Sequence, residues 1–103
     1  MEQFELAELI ITLHEENTRL NFTSAQLVIV AELGSILWYI DINGISQNDV
    51  LIAFSKSEDI RIKLNAVTAG GRSFEGVGYF HPNVQHHAAA IRGDGKLEGY
   101  EAH

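Results

Sequence analysis

From Gly70 to His103 the chain reads GGRSFEGVGYFHPNVQHHAAAIRGDGKLEGYEAH, a run holding seven of the nine glycines and four of the five histidines. Within it Arg72, Phe74, Tyr79, His81, Asn83, His86, His87 and Arg92 gather guanidiniums, rings, imidazoles and an amide. That mixture suits a small anionic molecule with a flat ring, such as a nucleotide. Arginine forks hold phosphate or carboxylate with two parallel bonds, an aromatic face takes the ring, and asparagine reads an edge. The function expected from the residues is therefore non-catalytic binding of such a ligand, with no required cofactor.

Two other chemistries draw on the same segment. His81, His86 and His87 fall within seven positions, and imidazole is the commonest metal ligand, so a divalent metal and a metal-dependent enzyme form one alternative. In an extended chain, neighbouring residues 86 and 87 would face opposite ways, so only one of them would join His81. An acid–base pair would be His81 or His87 with Asp94 or Glu75. Gly70-Gly71-Arg72 and Arg92-Gly93-Asp94-Gly95-Lys96 could each aim backbone N–H groups at an anion, but neither is a Walker loop or a dinucleotide fingerprint. No serine lies in a GxSxG elbow and there is no cysteine nucleophile, so a binder is favoured over an enzyme. The same glycines also serve as ordinary turn and bulge residues. Arg92-Gly93-Asp94 and Asn21-Phe22-Thr23 spell an adhesion tripeptide and a glycosylation acceptor, which act only outside the cell and are read as coincidence.

Elements must bring these residues together. Over Glu2–Asn17 two periods compete, and at 100° per residue Glu5, Glu8, Thr12, Glu15 and Glu16 gather opposite Phe4, Ala7, Ile10, Ile11 and Leu13, which predicts a helix with an acidic outer stripe. Leu27–Val30 is β-branched and predicts a buried strand. Ser35–Ile42 predicts another, ending in Asn43-Gly44, a strong hairpin signal, with a return strand over Ile45–Phe54. Ile60, Ile62 and Leu64 alternate with Arg61, Lys63 and Asn65 as a strand with one wet face. Ser73–Phe80 continues as a strand with Phe74, Gly76, Gly78 and Phe80 on one side, where the glycines leave room for something close to the backbone. His81-Pro82-Asn83 then opens a loop, and Ala88–Arg92 forms a hairpin with Lys96–Glu101 across Gly93-Asp94-Gly95. The expected architecture is one α+β domain over residues 1–103. Its N-terminal helix packs on a curved, mainly antiparallel sheet, a meander or half-barrel of five to seven strands.

Charge bounds the partners. The net charge is −7, and residues 1–50 carry eight carboxylates against Arg19 alone, whereas residues 51–103 carry six of each sign. Such a chain repels phosphate backbones, so nucleic-acid binding is not expected. The acidic stripe would face a basic protein if the chain were an inhibitor or immunity-like protein, the other alternative. Absent cysteines, an absent leader and short apolar windows suggest a cytoplasmic protein that does not cross a membrane. The apolar run Ile36–Ile40 would offer both strand faces to cover, which one helix cannot do, so a homodimer through the sheet is expected.

Overall fold

A computed structural model of the chain describes residues 1–100. Its elements are β1 (Glu2–Leu13), β2 (Glu16–Arg19), β3 (Ser24–Glu32), β4 (Ser35–Asn43), α1 (Asn48–Lys56), β5 (Arg61–Thr68), β6 (Ser73–Asn83) and β7 (Ala88–Gly93). Every strand pairing is antiparallel, in the order β1-β3-β4-β7-β6-β5, and β5 returns to β1. The result is a closed six-stranded barrel with β2 added along the outer half of β1 and one short helix. The antiparallel expectation holds. The N-terminal helix on an open sheet does not, because the residues read as helix form β1.

The reason lies in a bulge. Pairing of β1 with β5 shifts register between Leu6 and Glu8. Before it the inward residues are Phe4 and Leu6; after it they are Leu9, Ile11 and Leu13, with Leu6, Leu9 and Ile11 buried. One extra residue turns a period of two into a step of three, which imitates the i, i+3 spacing of a helix. Glu5 and Glu8 meanwhile project outward from a strand, and Glu8 meets Arg19 of β2 at 3.9 Å.

The helix sits instead where a return strand was expected. Ser46-Gln47-Asn48-Asp49 opens it, Asp49 lies in its first turn and Lys56 in its last, matching the charge preferences of helix ends. Val50, Leu51 and Phe54 share one face, and Leu51 and Phe54 are buried over one mouth of the barrel, where Phe54 meets the Phe80 ring at 4.4 Å between centroids. Asn43-Gly44 makes no hairpin. The Thr23 N–H donates to both the Asn43 and Gly44 carbonyls, at 2.9 and 3.1 Å, so the pair serves as a crossing between β4 and the start of β3. The hairpin turn of this region is Leu33-Gly34, both at positive φ, joining β3 to β4.

The barrel interior is filled by side chains that alternate inward along each strand. Phe74, Phe80, Leu27, Ile29, Ile40, Ile42, Ile62 and Ile91 are all essentially without solvent contact. At the mouth opposite α1, Trp38 lies inside with its ring over Gly76 and Gly93. A Cβ at Gly93 would stand 2.3 Å from the indole and 2.6 Å from the Trp38 carbonyl oxygen, and one at Gly76 would stand 2.8 Å from the indole. The indole N–H donates to the Gly95 carbonyl at 3.0 Å. What comes close to the backbone of these glycines is the chain's own tryptophan.

The C-terminal segment does not form the expected hairpin with β7. Leu97 packs under Trp38's mouth, Glu98 bridges to Glu75 of β6, and Tyr100 donates its hydroxyl hydrogen to Glu2 at 2.9 Å. The last residue of that expected strand, Glu101, lies outside the described residues. Beyond the barrel wall the β3–β4 hairpin leaves Leu33, Ile36, Leu37 and Tyr39 exposed. Among the described residues no helix is long and apolar enough to cross a membrane.

Candidate functional site

Alternation along β6 and β7 decides which residues of the C-terminal third can meet. Phe74, Gly76, Gly78 and Phe80 point into the barrel, so Tyr79, His81 and Asn83 point out. On β7, Ala89, Ile91 and Gly93 point in, and Ala88, Ala90 and Arg92 point out. β4 lies on the other side of β7 and contributes Tyr39, Asp41 and Asn43 to the same outer face.

Register then arranges these residues in rows. Arg92 stands opposite Tyr39 on one side and Tyr79 on the other, and Tyr79 stands opposite Arg61 of β5. One row away, Ala90 separates Asp41 from His81; a further row on, Ala88 stands beside Asn83. Because strands lie just under 5 Å apart, the β4 and β6 side chains face each other across about 10 Å of alanine floor. The outcome is a shallow groove of about 350 Å³ lined by Asp41, Asn43, His81, Asn83 and the alanines Ala88–Ala90, and the row of Tyr39, Arg92 and Tyr79 stands next to it at its head without lining it.

Its electrostatics are local. The Arg92 guanidinium lies over the Tyr79 ring at 5.5 Å from the centroid, and no ion pair among the described residues includes it. Arg61 behaves differently. Its Nη2 donates to Asp94 at 3.3 Å, and the Tyr79 hydroxyl donates to the same carboxylate oxygen at 3.4 Å. The hydrogen bond to Asp94, followed by Tyr79, holds the Arg61 pKa above its ordinary value. Asp94 therefore neutralises Arg61 and fixes Tyr79, leaving Arg92 as the cation at the groove's head.

Of the eight residues picked from sequence, Tyr79, His81, Asn83 and Arg92 come together here. The others do not join them. Phe74 is a core residue, 1% exposed. Arg72 lies at the Trp38 mouth, stacked on Phe4 and Phe74 at 5.4 and 5.1 Å and donating to the Gly99 carbonyl. His86 and His87 occupy the short 3-10 turn between β6 and β7, past the far end of the groove, where the His87 carbonyl accepts the Ile45 N–H at 2.8 Å. Three imidazoles therefore do not converge. Among the described residues no three histidine, aspartate or glutamate side chains are placed to hold a metal ion, which removes the support for a His-centred centre. Neither does Asp94 or Glu75 hydrogen-bond a histidine among the described residues: Asp94 serves Arg61 and Tyr79.

The first glycine loop spends donors internally. At Gly70-Gly71-Arg72 the Gly71 N–H goes to the Thr68 carbonyl and the Arg72 N–H to the Thr68 hydroxyl, so two of the three donors an anion would need are spent within the turn. Sequence reading missed Tyr39, Asp41, Asn43, Ala88 and Ala90. The signal was present: a strand over Ser35–Ile42 puts Tyr39 and Asp41 on one face, and Ala88 and Ala90, alternate residues of one strand, make a flat floor.

A second recess lies elsewhere, between the β1–β2 hairpin and α1. It encloses about 300 Å³, is lined by Ile11, Leu13, Thr18, Val50, Ala53 and Phe54, and carries His14, Glu16 and Asp49 at its edge. His14 Nε2 lies 2.9 Å from Asp59. No protein family model matches this chain, and no curated protein or solved structure matches it significantly.

Proposed function

We propose that the chain is a binding protein for a small anionic molecule bearing a flat ring, seated on the outer face of β4, β7 and β6. The observation that carries this reading is Arg92, laid over the Tyr79 ring without a carboxylate partner, at the head of a groove floored by alanine. A stacked guanidinium keeps its fork free for a phosphate or carboxylate while its own orientation is already fixed.

The rest of the groove sets polarity. Asp41, opposite His81, repels an anionic group and accepts hydrogen bonds, so the ligand's charge lies toward Arg92 and its hydroxyl or amino donors lie toward Asp41. Asn43 and Asn83 supply amide donors and acceptors at the far end. A nucleotide fits that order of chemistry. The groove is open and shallow, which favours affinities set by a few charge-assisted bonds rather than by burial.

The test is titration of the isotope-labelled full chain with a panel of mono-, di- and cyclic nucleotides, read by amide chemical shifts. Saturable shifts at residues 79–83 and 88–92, lost in Arg92→Ala, are expected. Silence across the panel, or shifts that Arg92→Ala leaves unchanged, would overturn the reading.

A further inference from the structure

The β1–β2 hairpin breaks a local rule. Leu13 pairs with Glu16 and Ile11 with Thr18, and residues directly opposite on antiparallel strands share a face. Ile11 is buried on the inner side, so Glu16 and Thr18 also face inward, toward α1, where two apolar residues would close the hairpin onto the helix. The strand pattern puts a carboxylate there instead. Across the gap the first turn of α1 contributes Asp49, above Val50 and Phe54.

A recess of about 300 Å³ stays open at the surface between hairpin and helix. Neither Glu16 nor Asp49 belongs to an ion pair among the described residues; Arg19, the single lysine or arginine in their half of the chain, is turned to Glu8, and His14 beside the recess is turned to Asp59. Both carboxylates are exposed and border the same apolar floor, so a cation with an apolar body would meet charge and surface together.

We infer that this recess binds a small organic cation with an apolar body, of the alkylammonium class. The alkyl part lies on Ile11, Leu13, Val50 and Phe54, and the ammonium is held between Glu16 and Asp49, with Thr18 as a neutral acceptor. Charge complementarity selects this occupant: an anion is repelled by both carboxylates, and a neutral body of the same shape gains only the floor. The site is independent of the Arg92 groove and would survive the failure of that reading.

The experiment uses the isotope-labelled full chain with three probes of one shape: n-hexylammonium, hexan-1-ol and hexanoate. Expected are saturable shifts confined to residues 11–18 and 49–54, an ammonium affinity at least about tenfold above the alcohol, and no binding of hexanoate. Raising salt lowers only the ammonium affinity. In Glu16→Gln combined with Asp49→Asn, both exposed positions, ammonium affinity falls to that of the alcohol while the rest of the spectrum is unchanged. Equal binding of alcohol and ammonium, ammonium shifts spread over outer carboxylates such as Glu5 and Glu58, or full affinity in the double variant would each overturn the inference.

Discussion

The inner and outer faces of β6 and β7 are built from alternate residues of the same two strands, yet different forces chose them. Inside, Gly76, Gly78 and Gly93 interleave with Phe74, Phe80 and Ile91, and Gly76 and Gly93 are small because Trp38 occupies the space a side chain would need. Outside, His81 and Asn83 border an alanine floor and Tyr79 and Arg92 stand one row beyond it, with no such constraint. The glycine-rich and the histidine- and arginine-rich character of one segment thus have separate causes. Packing explains the first, and only the second enters the proposed ligand groove.

That contrast is sharpest where a substitution inside should wreck the fold and one outside should leave it intact. Trp38→Ala empties the mouth opposite α1 and is expected to cost about 4 kcal/mol, seen as a lower urea midpoint. Gly93→Ala drives a methyl into both the indole and the Trp38 carbonyl, and is expected to cost about 3 kcal/mol. Adding Trp38→Phe to Gly93→Ala should be less than additive, by about 1 kcal/mol, because the smaller ring vacates part of the contested volume. Strict additivity would break the comparison by showing that Gly93 serves something other than the tryptophan.

On the outer face the effects on stability shrink. Arg92→Ala should shift stability by no more than about 0.5 kcal/mol while removing the nucleotide-dependent shifts. Smallest is the link between Tyr100 and Glu2 at the rim of the Trp38 mouth. The hydrogen bond to Glu2 raises the Tyr100 pKa above the ordinary tyrosine value of about 10, since only the neutral phenol can donate. The folded pKa being the higher, the contact's stabilisation is whole below about pH 10 and is lost as pH rises through the folded value. Tyr100→Phe should therefore flatten the slope of thermal stability against pH above 10 and leave it unaltered at neutrality.

Much of the barrel wall is legible in the chain. β5 shows in the alternation of Ile62 and Leu64 with charged neighbours, and β6 in the inward set from Phe74 to Phe80, because both strands keep one register throughout. β1 is hidden by its bulge. The last part of β6 is hidden by Pro82, which ordinarily ends a central strand. Here it is tolerated: the Phe80 N–H already reaches the Ile60 carbonyl at the start of β5, so Pro82, two residues on, faces a side from which that strand has departed. α1 is hidden by Val50-Leu51-Ile52, whose apolar run outweighs the helical spacing of Val50, Leu51 and Phe54. For the groove, four of the eight chosen residues are placed together. The missing wall comes from β4, 40 to 50 positions earlier in the chain, and no local pattern pairs β4 with β7.

One stave finishes the cask. β7 is only Ala88–Gly93, yet it alone joins β4 to β6, and every other ladder can zip while it is still being made. Without β7 the remaining strands make an open sheet, β4-β3-β1-β5-β6, with both flanks bare. Ring closure, core sealing and assembly of the Arg92 groove all depend on that one short strand.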